Sequence, residues 1–166
     1  MSLVLDASVA LAWCFEDEQT PEVMDLLDRV AETGGVAPLL WPLEALNGLF
    51  AAERRRRIAA DKRATLAAFL RALPITLDGD TAERAWDATA RLAAEFQLTV
   101  YDAAYLELAQ RRGLPLASLD QDLRSGKRRR GGRHWRRKRV TPHERPEREA
   151  VYTSSISERR RRFTVW

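Results

Sequence analysis

Apolar side chains recur at helical spacing in four parts of the chain. In three of them they follow the i, i+3, i+4, i+7 rule, and in a fourth the same spacing extends over a longer segment. The four sets are Val23, Leu26, Leu27 and Val30; Leu66, Phe69, Leu70 and Leu73; Ala82, Ala85, Trp86, Thr89 and Phe96; and Tyr101, Ala104, Tyr105 and Leu108. Each set predicts an amphipathic helix whose apolar face turns toward a core.

Four shorter apolar runs lie between these helices, at residues 3–5, 36–40, 75–77 and 116–119. They are too short for helices and show no strict alternation of apolar and polar positions. This pattern is typical of parallel strands that helices cover on both faces. Strands that alternate with helices predict an α/β fold, a three-layer sandwich with an open, mostly parallel sheet of four to five strands flanked by helices.

The amino-acid composition of the chain changes near Arg124. Residues 125–166 contain no Leu or Met, and only nine of these 42 residues are apolar. Residues 1–124 hold 13 Lys and Arg against 20 Asp and Glu, a balance of −7, whereas residues 125–166 hold 15 against 4, a balance of +11. We therefore expect one folded, acidic domain at residues 1–124 and a basic tail at residues 125–166, disordered for lack of apolar side chains to bury.

Three interpretations of this tail stay open. It is a nucleic-acid-binding segment, an appendage without a role, or the product of a reading-frame shift. The third has a mechanism, because GC-rich alanine codons read one base out of frame spell arginine and proline, and the body is rich in Ala where the tail is rich in Arg. If so, the last strand of the sheet is missing. A nucleotide sequence with no Leu-rich continuation in another frame would remove this hypothesis.

Composition narrows the class of protein further. No window approaches the roughly 18 apolar residues of a membrane span, and no basic segment precedes the first strand, so we expect a soluble, cytoplasmic protein. The one cysteine, Cys14, lies in an apolar run and is expected to be a core thiol. Both histidines, His134 and His143, fall in the tail, which leaves a zinc site in the body almost without ligands.

Four carboxylates stand at predicted strand exits or helix starts. Asp6 and Asp120 follow the first and last apolar runs, Glu44 lies in the first turn of a helix opened by Pro42, and Asp102 opens the helix at residues 101–112. Helix capping explains each one alone. However, parallel strands bring their carboxyl ends to one crevice, where clustered carboxylates repel unless a cation neutralises them. Oxygen ligands without His or Cys indicate Mg²⁺, or Mn²⁺.

Four segments that contain these acids resemble the signature segments of PIN-domain ribonucleases, in their order along the chain. They are Leu3-Val4-Leu5-Asp6-Ala7-Ser8, Trp41-Pro42-Leu43-Glu44-Ala45-Leu46-Asn47, Thr99-Val100-Tyr101-Asp102-Ala103-Ala104-Tyr105 and Leu116-Ala117-Ser118-Leu119-Asp120. The resemblance is greatest to the VapC-type toxins of type II toxin-antitoxin pairs and spans residues 1–124. Members of this family usually close with a short helix and a final apolar strand, from which the arginine-rich tail departs.

The resemblance implies a metal-dependent endoribonuclease with Asp6, Glu44, Asp102 and Asp120 as catalytic and metal-binding acids. Ser118 matches the Ser or Thr of the last segment, and Ser8 stands where a small hydroxyl residue often supports the site. It also implies an RNA substrate, a VapB-like antitoxin and a homodimer. Apolar side chains in the first helices could receive the antitoxin or could be core residues instead, namely Trp13, Phe15 and Met24.

Basic residues at two helix ends are candidates for contact with RNA phosphates, although runs of this kind often only solvate a helix end. They are Arg54 and Arg55 in the run 54–57, and Arg111 and Arg112.

Two other classes of protein remain open. A nucleic-acid-binding protein without catalysis could act through the tail. A Mg²⁺-dependent phosphatase or receiver-type domain also places acids at strand ends, but residues 6–8 lack a second Asp and no strand-end Lys is evident.

Overall fold

A parallel sheet forms the centre of the domain. The computed structural model describes residues 2–120, residue 123 and the backbone of residues 164–165. The strands are β1 (Leu3–Leu5), β2 (Gly35–Pro38), β3 (Ile75–Asp78), β4 (Leu116–Ser118) and β5 (Thr164–Val165). Their order in the sheet is β3-β2-β1-β4-β5. The first four are parallel to one another, as the apolar runs predicted, and β5 is antiparallel to β4.

Helices connect these strands. They are α1 (Ala7–Ala12), α2 (Pro21–Thr33), α3 (Trp41–Arg54), α4 (Ala60–Ala72), α5 (Thr81–Arg84), α6 (Ala90–Phe96) and α7 (Val100–Arg112), with a 3₁₀ turn at Glu16–Glu18 and a π-helical segment at Ala85–Thr89 between α5 and α6. All four predicted helices are present. In the part of the chain that is described, no helix is long and apolar enough to cross a membrane.

The register of the sheet brings its strand ends together at one edge. Val4 pairs with Val36 of β2 on one side and with Leu116 of β4 on the other. Successive strand residues point to opposite faces, and all three residues of β1 are completely buried. Helices therefore cover both faces, and β1 runs through the middle of the core.

The apolar core confirms most of the predicted stripes. Val23, Leu26 and Val30 of α2 and Leu66 and Leu70 of α4 are buried, as is the free thiol of Cys14, whose pKa burial raises to about 11. Trp13 and Phe15 also belong to this core. Of the two interpretations of Trp13 and Phe15, core burial is therefore the correct one, and they offer no docking surface for an antitoxin; Met24 packs against the core at its margin.

The stripe at residues 82–96 is wrong at Trp86, whose side chain is 91% exposed. Trp86 lies in the π-helical segment, where wider hydrogen bonding adds a residue to the turn and shifts the phase of the following side chains. Thr89, in contrast, is buried. Helical periodicity predicted the helix but not the interruption that rotates its face.

The β4 edge of the sheet is paired, whereas the frame-shift interpretation of the tail implied that its partner strand is missing. Ser118 pairs with Thr164 and Ala117 with Val165, both from the end of the basic tail. The rest of the predicted disordered or frame-shifted tail, including His134 and His143, lies outside the described residues. The predictions for that segment therefore stay predictions.

Candidate active site

Asp6 stands where β1 ends and α1 begins. It is the N-cap of α1, because its Oδ1 accepts the backbone N–H of Ser8 at 3.3 Å. It is also buried at the sheet edge, with its own backbone N–H donating to the carbonyl of Ala117 in β4. Of the two interpretations of Asp6 from its sequence, capping is confirmed, and its place in an acidic site stays a prediction.

Two serines fix this carboxylate from the same side. The hydroxyl of Ser8 donates to Asp6 Oδ2 at 2.8 Å, and that of Ser118 donates to the same oxygen. Each hydroxyl also accepts a backbone N–H from the segment after β4, Leu119 to Ser8 and Asp120 to Ser118, both at 3.0 Å. The β4 exit is thus tied to Asp6 through both serines, while Oδ1 accepts only the backbone N–H of Ser8 from the described residues.

Asp120 follows β4 as predicted. Its Oδ1 accepts the backbone N–H of Leu123 at 3.1 Å, which is the pattern of a helix N-cap. Its charge also acts on both Asp6 and Asp102. Asp120 therefore belongs to the same edge of the sheet as Asp6.

Asp102 lies in the first turn of α7, the helix that it was predicted to open. The helix begins at Val100, and Thr99 rather than Asp102 is its N-cap. Thr99 Oγ1 accepts the backbone N–H of Asp102 at 3.1 Å and donates to its Oδ2 at 2.7 Å. Sequence reasoning missed Thr99, although a Thr three residues before an acid is the signal of a capping box.

Glu44 lies in the first turn of α3 and is held by a residue of α7. The buried hydroxyl of Tyr105 donates to Glu44 Oε2. Tyr105 was predicted only as part of an apolar stripe. The signal that could have found it is its position one turn after Asp102, which places the two side chains on one face of α7.

The four predicted acids share one electrostatic environment. Burial raises the pKa of Asp6, Glu44 and Asp102 above their ordinary values. Repulsion between the carboxylates raises these pKa values further. The charge of Asp120 acts on Asp6, the charges of Asp6 and Asp102 act on Glu44, and those of Asp120 and Asp6 act on Asp102. Hydrogen bonds from serine, threonine and tyrosine hydroxyls oppose the shift. The fold thus brings together carboxylates that are far apart in sequence.

The donor chemistry of this cluster fits Mg²⁺ or Mn²⁺. Among the described residues, no group of three or more His, Cys, Asp or Glu side chains is arranged to hold an ion by itself. Mg²⁺ does not require such a cage, because it keeps several waters and is usually held by one or two carboxylates together with substrate phosphates. The ligands that could do so are Asp6, Glu44, Asp102 and Asp120.

Arg111 and Arg112 are engaged by a fifth acid. Asp78, at the end of β3, is only 3% exposed and accepts hydrogen bonds from Arg111 at 2.6 Å and from Arg112 at 2.9 Å. Arg111 also pairs with Asp80 and Glu107. Burial acts to raise the pKa of Asp78, but the two guanidinium groups outweigh it and hold that pKa below its ordinary value.

Both arginines therefore pair with one buried carboxylate, and their contact with phosphates stays a prediction. Asp78 itself follows a predicted strand, so the rule that found Asp6 could have found it.

Arg54 and Arg55 end α3 and point into solvent. Neither pairs with an acid among the described residues. Arg57 differs, because its guanidinium pairs with Asp17 and Glu18 and stacks 3.8 Å from the centroid of the Phe15 ring. Of the predicted phosphate contacts, Arg54, Arg55 and Arg112 are exposed, and Arg54 and Arg55 form no ion pair among the described residues.

Comparison with known proteins supports the sequence resemblance at the level of the family. Residues 3–128 match the PIN domain family. The crystal structure of PAE2754 from Pyrobaculum aerophilum has a similar fold, with a TM-score of 0.57 at 22% sequence identity over 76% of this chain and 79% of that chain. No curated protein matches the chain significantly.

Proposed function

Since the chain belongs to the PIN domain family, whose members are generally nucleases that use divalent metal ions, we propose that it is a Mg²⁺-dependent endoribonuclease. The observation that carries this proposal is the shared electrostatic environment of Asp6, Glu44, Asp102 and Asp120 at one edge of the sheet. Clustered carboxylates of this kind are stable when a divalent cation offsets their repulsion.

Hydrolysis of a phosphodiester needs an attacking hydroxide and positive charge near the phosphoryl oxygens, which Mg²⁺ supplies when bound. The protein's part is to place oxygen ligands. Ser8 and Ser118 hold Asp6 Oδ2, so Oδ1, which accepts only the Ser8 N–H from the described residues, would be the oxygen that binds the ion. Thr99 and Tyr105 hold Asp102 and Glu44 in the same way. Arg54 and Arg55 would contact phosphates of the bound RNA.

Substitution of one acid tests this proposal. Asp6→Asn keeps the size of the side chain but removes its charge, so cleavage of RNA in Mg²⁺ should fall by at least about 100-fold. Asp28→Asn, at an exposed position of α2, is the matched control and should leave cleavage unchanged. Full activity of Asp6→Asn, or cleavage by the unaltered chain in EDTA, would refute the proposal.

The alternative is a nucleic-acid-binding protein that acts through its basic tail without catalysis. The balance of +11 in residues 125–166 favours nonspecific binding with a steep salt dependence. In that case RNA binding survives EDTA, falls steeply with salt, and yields no shorter RNA products when Mg²⁺ is present.

We also propose that this nuclease is the toxin of a toxin-antitoxin pair, with a small VapB-like antitoxin as its partner. The support is the likeness of the four acidic segments to those of VapC-type toxins. Induced expression should then arrest bacterial growth, and the Asp6→Asn variant should not. Normal growth with an active nuclease would contradict the toxin role while leaving the nuclease proposal intact.

A second copy of the chain is the partner that we propose for α3. Its exposed face carries Leu43, which is 73% exposed, followed by Leu46 and Phe50, and ends at Arg54. Antiparallel pairing of two such faces would bury the apolar stripe and bring Arg54 of one copy near the Glu44 end of the other, so the charges are complementary. Sedimentation should show a dimer that Leu43→Glu converts to a monomer; an unaltered chain that sediments as a monomer would refute this pairing.

A further inference from the structure

Tyr105 forms a direct link between the two helices that present acids to the site. It lies on α7, one turn after Asp102, and its side chain is completely buried. Its hydroxyl donates to Oε2 of Glu44, which belongs to α3, 61 residues earlier in the chain. In the described part of the chain, no other side-chain hydrogen bond holds Glu44, so Tyr105 orients this carboxylate.

The ring and the hydroxyl of Tyr105 have separable roles. The ring is packed in the apolar core, where a phenylalanine ring would fill nearly the same space. The hydroxyl donates to Glu44 and also accepts the backbone N–H of Ala7. Without the bond from Tyr105, Glu44 is a half-buried side chain with three rotatable bonds, repelled by Asp6 and Asp102. Repulsion would then favour conformations that turn its carboxylate away from the other acids.

We propose that Tyr105 is a positioning residue that holds the Glu44 carboxylate against this repulsion, so that its free oxygen stays directed at the divalent ion. This inference rests on the proposed function, because it takes Glu44 to be a ligand. Residues that orient metal ligands through hydrogen bonds typically change metal affinity by about 10-fold to 100-fold when they are removed. Tyr105 acts through Glu44 and needs no contact with RNA.

The chain offers a matched control on the same helix. Tyr101 is one turn before Tyr105 and is 61% exposed, so Tyr101→Phe removes a hydroxyl without touching Glu44. We would measure Mn²⁺ binding by calorimetry in the absence of RNA, and the dependence of RNA cleavage on Mg²⁺ concentration. Tyr105→Phe should bind Mn²⁺ at least about 10-fold more weakly and need correspondingly more Mg²⁺, with cleavage restored at saturation. Tyr101→Phe should match the unaltered chain.

A second background separates positioning from a structural role. If Tyr105 acts through Glu44, Tyr105→Phe should cause no further loss of Mn²⁺ affinity in a Glu44→Gln chain. Unchanged Mn²⁺ binding by Tyr105→Phe would overturn the inference while leaving the nuclease proposal standing, and so would equal losses in both backgrounds. Absence of Mn²⁺ binding by the unaltered chain would overturn both.

Discussion

Removal of one hydroxyl, in Ser118→Ala, should destabilise the domain in a pH-dependent way. Ser118 is almost completely buried and makes two bonds, as donor to Asp6 Oδ2 and as acceptor of the Asp120 backbone N–H. A hydrogen bond to a charged group contributes about 1.5 to 3 kcal/mol. Because alanine provides neither a donor nor an acceptor, we expect the free energy of unfolding at pH 7 to fall by about 2 to 3 kcal/mol.

The sign of the pH effect follows from Asp6. Its pKa in the folded protein is raised by burial, and the hydrogen bond from Ser118 is what lowers it most. Loss of that bond raises the folded pKa further, which costs stability at pH values where the unfolded carboxylate is ionised. When acid protonates Asp6, the hydroxyl no longer stabilises a charge. The difference between Ser118→Ala and the unaltered chain should therefore shrink as the pH falls from 7 to 4.

Urea unfolding at pH 7 and pH 4 measures both quantities. At a chain length near this one, 2 to 3 kcal/mol corresponds to a shift in Tm of about 4 to 12 °C. Ser2→Ala is the control, because the Ser2 hydroxyl donates only to the neutral carbonyl of Gly34, at 3.3 Å, and its loss should cost about 1 kcal/mol or less at either pH. A loss below about 0.5 kcal/mol for Ser118→Ala, or equal losses at both pH values, would refute this account.

Three further changes test other parts of the structure. Arg111→Ala should lower the free energy of unfolding in urea at pH 7 by about 3 kcal/mol, because buried Asp78 keeps only Arg112, which is 51% exposed. Since the folded pKa of Asp78 is lowered, this loss should lessen as acid protonates that carboxylate. An equal loss in Arg112→Ala would contradict the greater contribution assigned to Arg111. Arg56 has φ of +57° at the end of α3, so Arg56→Gly should raise the free energy of unfolding by about 0.5 to 1 kcal/mol, whereas Arg55→Gly, at φ of −80°, should lower it. Because the pKa values of Asp6, Glu44 and Asp102 are raised in the folded protein, Tm in EDTA should rise as the pH falls from 7 toward 5. Mg²⁺ at pH 7 should recover part of this gain. A Tm that falls over that pH range, to the same extent in the unaltered chain and in Asp6→Asn, would count against the cluster.

Local chemistry accounts for what the sequence predicted well. The strand at residues 75–77 and the helix that contains residues 66–73 were predicted correctly because short buried runs and amphipathic spacing reflect local geometry. Asp6 and Asp120 were placed at one edge because parallel neighbouring strands end at the same edge. Both predictions needed only the direction of the chain and the pattern of its side chains.

Contacts between residues distant in sequence could not be predicted. Nothing near Arg111 in the chain shows that it pairs with Asp78, 33 residues earlier. Tyr105 was predicted correctly as a core residue, but its bond to Glu44 spans 61 residues and was missed. The exposed position of Trp86 depends on a π-helical turn, which periodicity does not detect.

Local features of the sequence were enough to predict the α/β architecture, the order of its elements and four acids to follow, because strand runs, helical stripes and strand-exit residues depend on nearby positions. The folded structure was needed to show which charges form ion pairs and which hydroxyls orient the acids. It also paired the far end of the basic tail with β4. These depend on distances between side chains that the chain brings together only when it folds, and hydrogen bonds and ion pairs form only at short range and in suitable directions.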